Sequence, residues 1–443
     1  MENCDVLIIG AGPSGAVAAL VLSKAGVNTT VIEREKNPGM RTRTKIDITE
    51  ESGIREIFDE LELPFLAKSS SSKWFSKNES FDLNSKIQDY YLKRGPENDS
   101  FENIVMKKAI SAGCVLKTES FPEKYEMERE GNGLANAKIT DAEGKIAENQ
   151  LPTAKTADGN EKTTSANGKV KSVRILSNGK SWTVSPRFVI IADGSRSQSA
   201  EMLGFHSGMK RKAEIFGYGV VSKRIKLPEG LTHIFVDSEK LPGGYFYAGK
   251  TEELGVACIV LPFEKKETTD IREKFGEFVH GNEILSKAVP ETEEKEYFAG
   301  SCLPMDLKVQ ARGNVFLCGD AGGLMDPLFG YGARQAIFSG HSAAKAIISN
   351  FNKQENARSQ YQKMLNRTIL KENAKSWKGR DFFEGLSNDE LDAMAGSFAR
   401  MEKGNADAII ENPARHIGSL LSIFIRKPKM LKIAAKAIRH GVL

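Results

Sequence analysis

The stretch CDVLIIGAGPSGAVAALVLSKAGVNTTVIER, residues 4–34, constrains the fold more than any other part of the chain. Asp5–Ile9 has the unbroken apolar run of a buried strand, Ser14–Lys24 the pattern of a helix, and Val27–Ile32 that of a second strand closed by Glu33. Between strand and helix, Gly10 suits a tight turn, Gly12 the close approach of a diphosphate, and Gly15 the close packing of helix on strand. The helix start directs N–H groups at an anion, with Pro13 and Ser14 in its first turn. Glu33 is placed to accept from ribose hydroxyls, with Arg34 beside it. An acid there favours a cofactor with a free 2′-hydroxyl, as in FAD or NAD, over NADP.

Two later segments repeat the theme of a strand ending in glycine and acid. In RFVIIADGSRSQSAEMLG, residues 187–204, an apolar strand runs into Asp193-Gly194, which by itself also reads as an ordinary strand-ending turn. In GNVFLCGDAGGLMDPLFGYGARQAI, residues 313–337, a strand ends at Gly319-Asp320 and a glycine loop leads into a helix starting near Ala333. Gly330 and Gly332 let backbone approach a ligand, and the bare helix start again attracts negative charge. Asp326 before Pro327 reads as a turn cap rather than a reacting group.

This order of motifs resembles the para-hydroxybenzoate hydroxylase-type flavoproteins, and among them most closely the geranylgeranyl reductases. The resemblance runs from Asp5 to about Asn350 and implies an α/β fold: a Rossmann-type FAD-binding domain, an inserted antiparallel β-sheet substrate domain and a C-terminal helical region. It implies that Asp320 holds the ribityl chain and that backbone from Gly330 to Ala333, with Pro327 in the same loop, faces N1 and O2 of the isoalloxazine. A helix N-terminus there stabilises the negative charge of reduced flavin. Arg41 and Arg43 are candidates to neutralise the diphosphate, or solvated loop residues; Arg94 is a candidate cofactor contact, or a surface or capping residue. No cysteine lies between Cys4 and Cys114, so the cysteine that related reductases carry near the flavin has no counterpart there. Tyr245 and Tyr247 match only the aromatic spacing of a substrate motif of these reductases, and packing is the alternative; no catalytic residue is otherwise assigned.

Along the chain this divides into FAD-binding parts at 1–85 and 86–205, with a polar excursion near 120–168, a sheet substrate domain at 206–304, a closing FAD-binding part at 305–350, and helices over 351–443. Only one glycine signature of this kind occurs, so electrons are expected from a transient donor, NAD(P)H or a ferredoxin-like protein. The five cysteines form no CxxC pair, which disfavours a metal site and suits a reducing, cytoplasmic location. No signal peptide or spanning segment is apparent, and a net charge of +5 is too small to argue for nucleic acid.

The end of the chain is basic without an acid: Arg415, Arg426, Lys427, Lys429, Lys432, Lys436 and Arg439 alternate with apolar residues. It reads either as peripheral contact with the cytoplasmic face of a membrane or as a helix packed on the domain. The resemblance implies an FAD-dependent reductase that saturates carbon–carbon double bonds of geranylgeranyl or polyprenyl chains, in a prenyl lipid or prenyl diphosphate. An FAD-dependent monooxygenase of an aromatic or polyketide substrate is the alternative on the same fold.

Overall fold

The structure is a computed structural model that describes residues 4–42, 45–128, 168–206, 214–263, 270–291, 295–401 and 428–442. Six strands form one sheet in the order Ala311–Arg312, Val315–Leu317, Phe188–Ile191, Val6–Ile9, Thr29–Ile32 and Val115–Lys117. All neighbours pair in parallel except the first two. Such a sheet must be covered on both faces, which is why its central strands Val6–Ile9, Phe188–Ile191 and Val315–Leu317 are apolar at every position. Val6, Ile8, Phe188, Ile190 and Phe316 face the helices, including Pro13–Lys24 and Ala333–Ser349. Leu7, Ile9, Val189, Ile191 and Leu317 face a three-stranded antiparallel sheet, Ser120–Met127, Val170–Ser177 and Lys180–Val184, through Tyr125, Val173 and Ile175. The first eight residues of the expected polar excursion are therefore a strand, and residues 129–167 lie outside the described residues.

The second large sheet has eight strands: Glu296–Cys302, Glu214–Ser222, Gly255–Phe263, Tyr245–Lys250, Leu231–Phe235, Ala67–Phe75, Ser80–Lys93 and Ile46–Glu50. It is antiparallel apart from the parallel pairing of Leu231–Phe235 with Ala67–Phe75. Three of its strands come from residues 46–93, so the sheet is not confined to 206–304 as the sequence suggests. Pairing across more than 150 residues leaves no local mark in the chain. One face packs on the helices Ile271–His280 and Glu283–Ala288 through Phe246, Phe275 and Phe278. The opposite face carries Trp74, Ile234, Tyr245 and Tyr247 against the C-terminal helices Ile369–Glu384 and Asn388–Phe398. The architecture is the expected Rossmann-type domain with an inserted sheet and a helical C-terminal region.

Candidate functional site

The motif residues converge on one edge of the parallel sheet because each follows the carboxyl end of a strand: Gly10 after Ile9, Glu33 after Ile32, Asp193 after Ile191, Asp320 after Leu317. This edge is where open α/β sheets bind ligands. Gly10 has φ +100°, which favours glycine, and a Cβ there would collide with the Ala192 carbonyl oxygen. A Cβ at Gly15 would collide with the Gly10 carbonyl oxygen, so helix and strand touch backbone to backbone. Gly12 is different. It caps the Pro13–Lys24 helix with φ −69°, no side chain caps the helix start, and nothing lies within 4 Å of where its Cβ would stand.

Glu33 is fixed from both sides by backbone: Ala11 N–H donates to Oε2 at 2.8 Å and Glu35 N–H to Oε1 at 3.0 Å. Arg34 donates to Gln198 and lies 5.3 Å above the Phe121 ring. Asp193 accepts from Ser199 N–H through Oδ2 at 3.2 Å, whereas Oδ1 is buried with no partner, and burial raises its pKa. Gly194 beside it has φ +85°. An orphaned carboxylate oxygen at this edge awaits a donor.

Gly319 (φ +58°) opens the short 3-10 turn Gly319–Gly322, and its N–H donates to Ser339 Oγ at 2.9 Å, which ties the turn to the Ala333–Ser349 helix. Asp320 accepts no side-chain hydrogen bond among the described residues; burial raises its pKa and the Arg94 charge opposes that. A Cβ at Gly332 would stand 2.9 Å from Asp320 Oδ1, so the loop and this carboxylate are immediate neighbours. Asp326 Oδ1 accepts from Leu328 and Phe329 N–H at 3.0 and 2.8 Å, which makes it the turn cap that its place before Pro327 suggests. Gly330 has φ +76°, and the helix after Gly332 starts at Ala333 with no side-chain cap and no acid in its first turn.

Residues that sequence reasoning missed hold this loop from behind. Asn373 donates to the Leu324 and Met325 carbonyls at 3.0 and 3.1 Å, and the buried Arg380 donates to the Pro327 carbonyl at 3.3 Å. Arg334 Nε donates to the Ser52 carbonyl at 2.6 Å. The phenol of Tyr245 donates to the Phe329 carbonyl at 2.5 Å, so Tyr245 anchors the loop. Tyr247 lies 6.2 Å from it, ring to ring, and Phe329 lies 6.1 Å from Trp74.

The arginines are placed differently from the glycines. Arg94 is buried in a bridge to Asp47 and to Glu102, the latter at 2.6 Å. Arg41 is 64% exposed and bound to Glu35 at 2.6 Å. Arg43 lies outside the described residues. Among the described residues no group of His, Cys, Asp or Glu is placed to hold a metal ion.

Comparison with known proteins identifies the family to which the chain belongs. A family model described as an FAD binding domain matches residues 3–363. The digeranylgeranylglycerophospholipid reductase 2 of Methanopyrus kandleri is 23% identical over 97% of this chain and 98% of its own length. A geranylgeranyl bacteriochlorophyll reductase-like protein of Thermoplasma acidophilum superposes with a TM-score of 0.74 at 20% identity, covering 96% of this chain and 100% of that one. A probable FAD-dependent monooxygenase of Pseudomonas aeruginosa superposes with a TM-score of 0.59 at 17% identity, over 87% of this chain and 97% of that one. The chain belongs to the FAD-binding domain family, and its cofactor is FAD. Within that class it is an FAD-dependent oxidoreductase, similar in sequence and fold to geranylgeranyl-type reductases.

Proposed function

We propose that this enzyme saturates carbon–carbon double bonds in geranylgeranyl or polyprenyl chains of membrane lipids or their precursors. The observation that carries this reading is an aromatic wall beside the glycine loop: Trp74, Ile234 and Tyr247 of the sheet pack with Phe329 of the loop itself and with Phe382 and Phe383 of the C-terminal helix Ile369–Glu384, surroundings whose chemistry suits a long hydrocarbon. When bound, FAD supplies the electron pair and the hydride equivalent. The residues of the chain bind and orient. Gly12 and the N–H groups of Ser14 and Gly15 receive the diphosphate, Glu33 the adenosine ribose and Asp320 the ribityl hydroxyls. The backbone from Gly330 to Ala333 would face the isoalloxazine. An isolated alkene has no carbonyl to polarise, so alignment in a dry pocket must supply much of the rate. The electron donor is transient, a nicotinamide or a ferredoxin-like protein.

Asp320 offers a direct check. Asp320→Asn keeps the shape and removes a desolvated charge, so the flavin-free protein is expected to melt no lower than the parent. FAD affinity falls about tenfold, since hydrogen bonds to a charged acceptor are worth about 1.5–3 kcal/mol. Equal FAD affinity in the two proteins, by fluorescence titration, contradicts the assignment.

The functional test is anaerobic. FAD-loaded protein reduced with dithionite is mixed with a geranylgeranyl lipid, and recovery of the oxidised flavin spectrum is expected without oxygen. The monooxygenase alternative draws on the fold shared with the Pseudomonas aeruginosa protein and on the phenols of Tyr245, Tyr247 and Tyr331 around the loop. It predicts reoxidation only when oxygen is admitted.

Access to lipid is assigned to the C-terminal helix Pro428–Arg439. Met430, Ile433 and Ala437 are buried against the domain, and two lysines are spent on ion pairs, Lys429 with Asp389 at 3.2 Å and Lys436 with Glu390 at 2.6 Å. Lys432 and Arg439 remain exposed beside Leu431 and Ile438. Arg415, Arg426 and Lys427 lie outside the described residues, and among the described residues no helix is long and apolar enough to cross a membrane. Lys432→Gln with Arg439→Gln is expected to weaken cosedimentation with anionic vesicles about 30-fold, at roughly 1 kcal/mol per basic residue. The loss shrinks as salt rises. Cosedimentation equal to the parent's at low and high salt rejects membrane contact through this helix.

A further inference from the structure

Adding hydrogen across an alkene takes a hydride equivalent and a proton, and nothing above supplies the proton. We propose that the carboxyl group of Asp89 donates it, from the sheet face that borders the glycine loop; this inference rests on the reductase reading.

The geometry starts from strand register. Asp89 pairs with Glu50 on one neighbouring strand and with Ser69 on the other, so the two carboxylates share a face. Tyr91, two residues on, lies on that face too, and its hydroxyl is 2.6 Å from Thr232 Oγ1. Tyr91 and Ile48 pack in one cluster with Tyr247 and Cys258, which continues the face to the aromatic wall. The corner holding Glu50 and Asp89 is tied to the flavin loop: Arg334, in the first turn of the Ala333–Ser349 helix, donates to the carbonyl of Ser52, two residues beyond Glu50. The Asp89 charge also acts on the phenol of Tyr331, the residue between Gly330 and Gly332.

The Asp89 carboxyl is partly buried and accepts no side-chain hydrogen bond among the described residues. Burial, then the charges of Glu50 and Glu51, push it up to about 7. Glu50 is raised by burial and opposed by Arg334. The phenols and thiols along this wall hold their protons more tightly. Burial drives the phenols of Tyr245 and Tyr247 well above their ordinary value and the Cys258 thiol up to about 12. It also raises Cys302, whose Sγ stands 3.6 Å from where a Cβ on Gly330 would be. A carboxyl titrating near neutrality both holds its proton and releases it.

In the step, the Asp89 O–H bond breaks and a C–H bond forms at one alkene carbon. Reduced flavin furnishes the hydride equivalent for the other carbon and is left oxidised, the alkene becomes an alkane, and the Asp89 carboxylate regains a proton from water.

The test uses FAD-loaded parent, Asp89→Asn and Asp89→Glu, reduced with dithionite and mixed anaerobically with geranylgeranyl lipid across pH. The parent's reoxidation is expected to fall about tenfold per pH unit above neutrality, as the acid form is lost. Asp89→Asn should be about 100-fold slower and flat with pH, while Asp89→Glu, which keeps the carboxyl, retains a pH-dependent limb. Apart from activity, infrared titration of the parent should show a protonated carboxyl band vanishing near neutrality, absent from Asp89→Asn. Parental rate and pH limb in Asp89→Asn, or persistence of the titrating band, overturns the proposal while leaving the reductase reading intact. A parent that no prenyl lipid reoxidises overturns that reading, and this proposal with it.

Discussion

Gly12→Val is expected to give a folded protein that no longer retains flavin. Its backbone at φ −69° is open to any residue, and nothing lies within 4 Å of the new Cβ, so the substitution creates no clash with the protein. Valine is a poor helix cap, at a cost of about 1 kcal/mol, within the margin of an ordinary domain. The cost falls on the ligand. A branched side chain would occupy the mouth of the Pro13–Lys24 helix, where the proposed diphosphate site lies at the N–H groups of Ser14 and Gly15, and FAD affinity should drop by about 100-fold or more. Flavin absorbance after gel filtration, together with thermal unfolding of the flavin-free protein, separates the two effects. Parental FAD affinity in a folded Gly12→Val protein contradicts the placement of the diphosphate.

Gly340→Ala is expected to do the reverse and unsettle the fold itself. Gly340 sits in the Ala333–Ser349 helix where it crosses Pro13–Lys24, and a Cβ there would collide with the Ser14 carbonyl oxygen and stand 2.9 Å from its carbon. Backbone is met by backbone, so no side chain can turn aside, and the helices must separate. Alanine would gain about 1 kcal/mol in helix propensity, against which overpacking costs about 3 kcal/mol. The net loss is large beside a total stability of about 5–15 kcal/mol. Because this crossing sets the spacing between Ser14 and the Gly332 helix start, flavin binding should weaken as well. Chemical unfolding of flavin-free parent and variant decides it: a variant as stable as the parent, or more so, means the helices do not touch as closely as the structure has them.

What was legible in the chain was local. The Gly10 turn, the acid at Glu33 and the strand-ending Asp193 and Asp320 each declare themselves within a few residues, since turn chemistry and helix starts are short-range. The unread parts depend on partners far away in sequence. Nothing near Ala67–Phe75 reveals that it pairs with Leu231–Phe235. Arg94, a cofactor contact or a surface or capping residue by sequence, is held by Asp47 and Glu102, and Tyr245, a substrate contact or a packing residue by its spacing, has its hydroxyl on the Phe329 carbonyl. Asn373 and Arg380, which steady the glycine loop, lie in a helix whose sequence carries no motif. Lys429 and Lys436 similarly read as a free basic surface, and are paired instead with Asp389 and Glu390.

The central claim is that electrons held on this protein's flavin pass to the double bonds of a prenyl chain. The most direct measurement is mass spectrometry of a geranylgeranyl lipid after anaerobic incubation with the dithionite-reduced, FAD-loaded protein, with dithionite removed beforehand. The predicted result is lipid heavier by the mass of two hydrogens for each bond saturated, one bond for each flavin oxidised. Lipid recovered unchanged, with the flavin still reduced until oxygen is admitted, would contradict the claim.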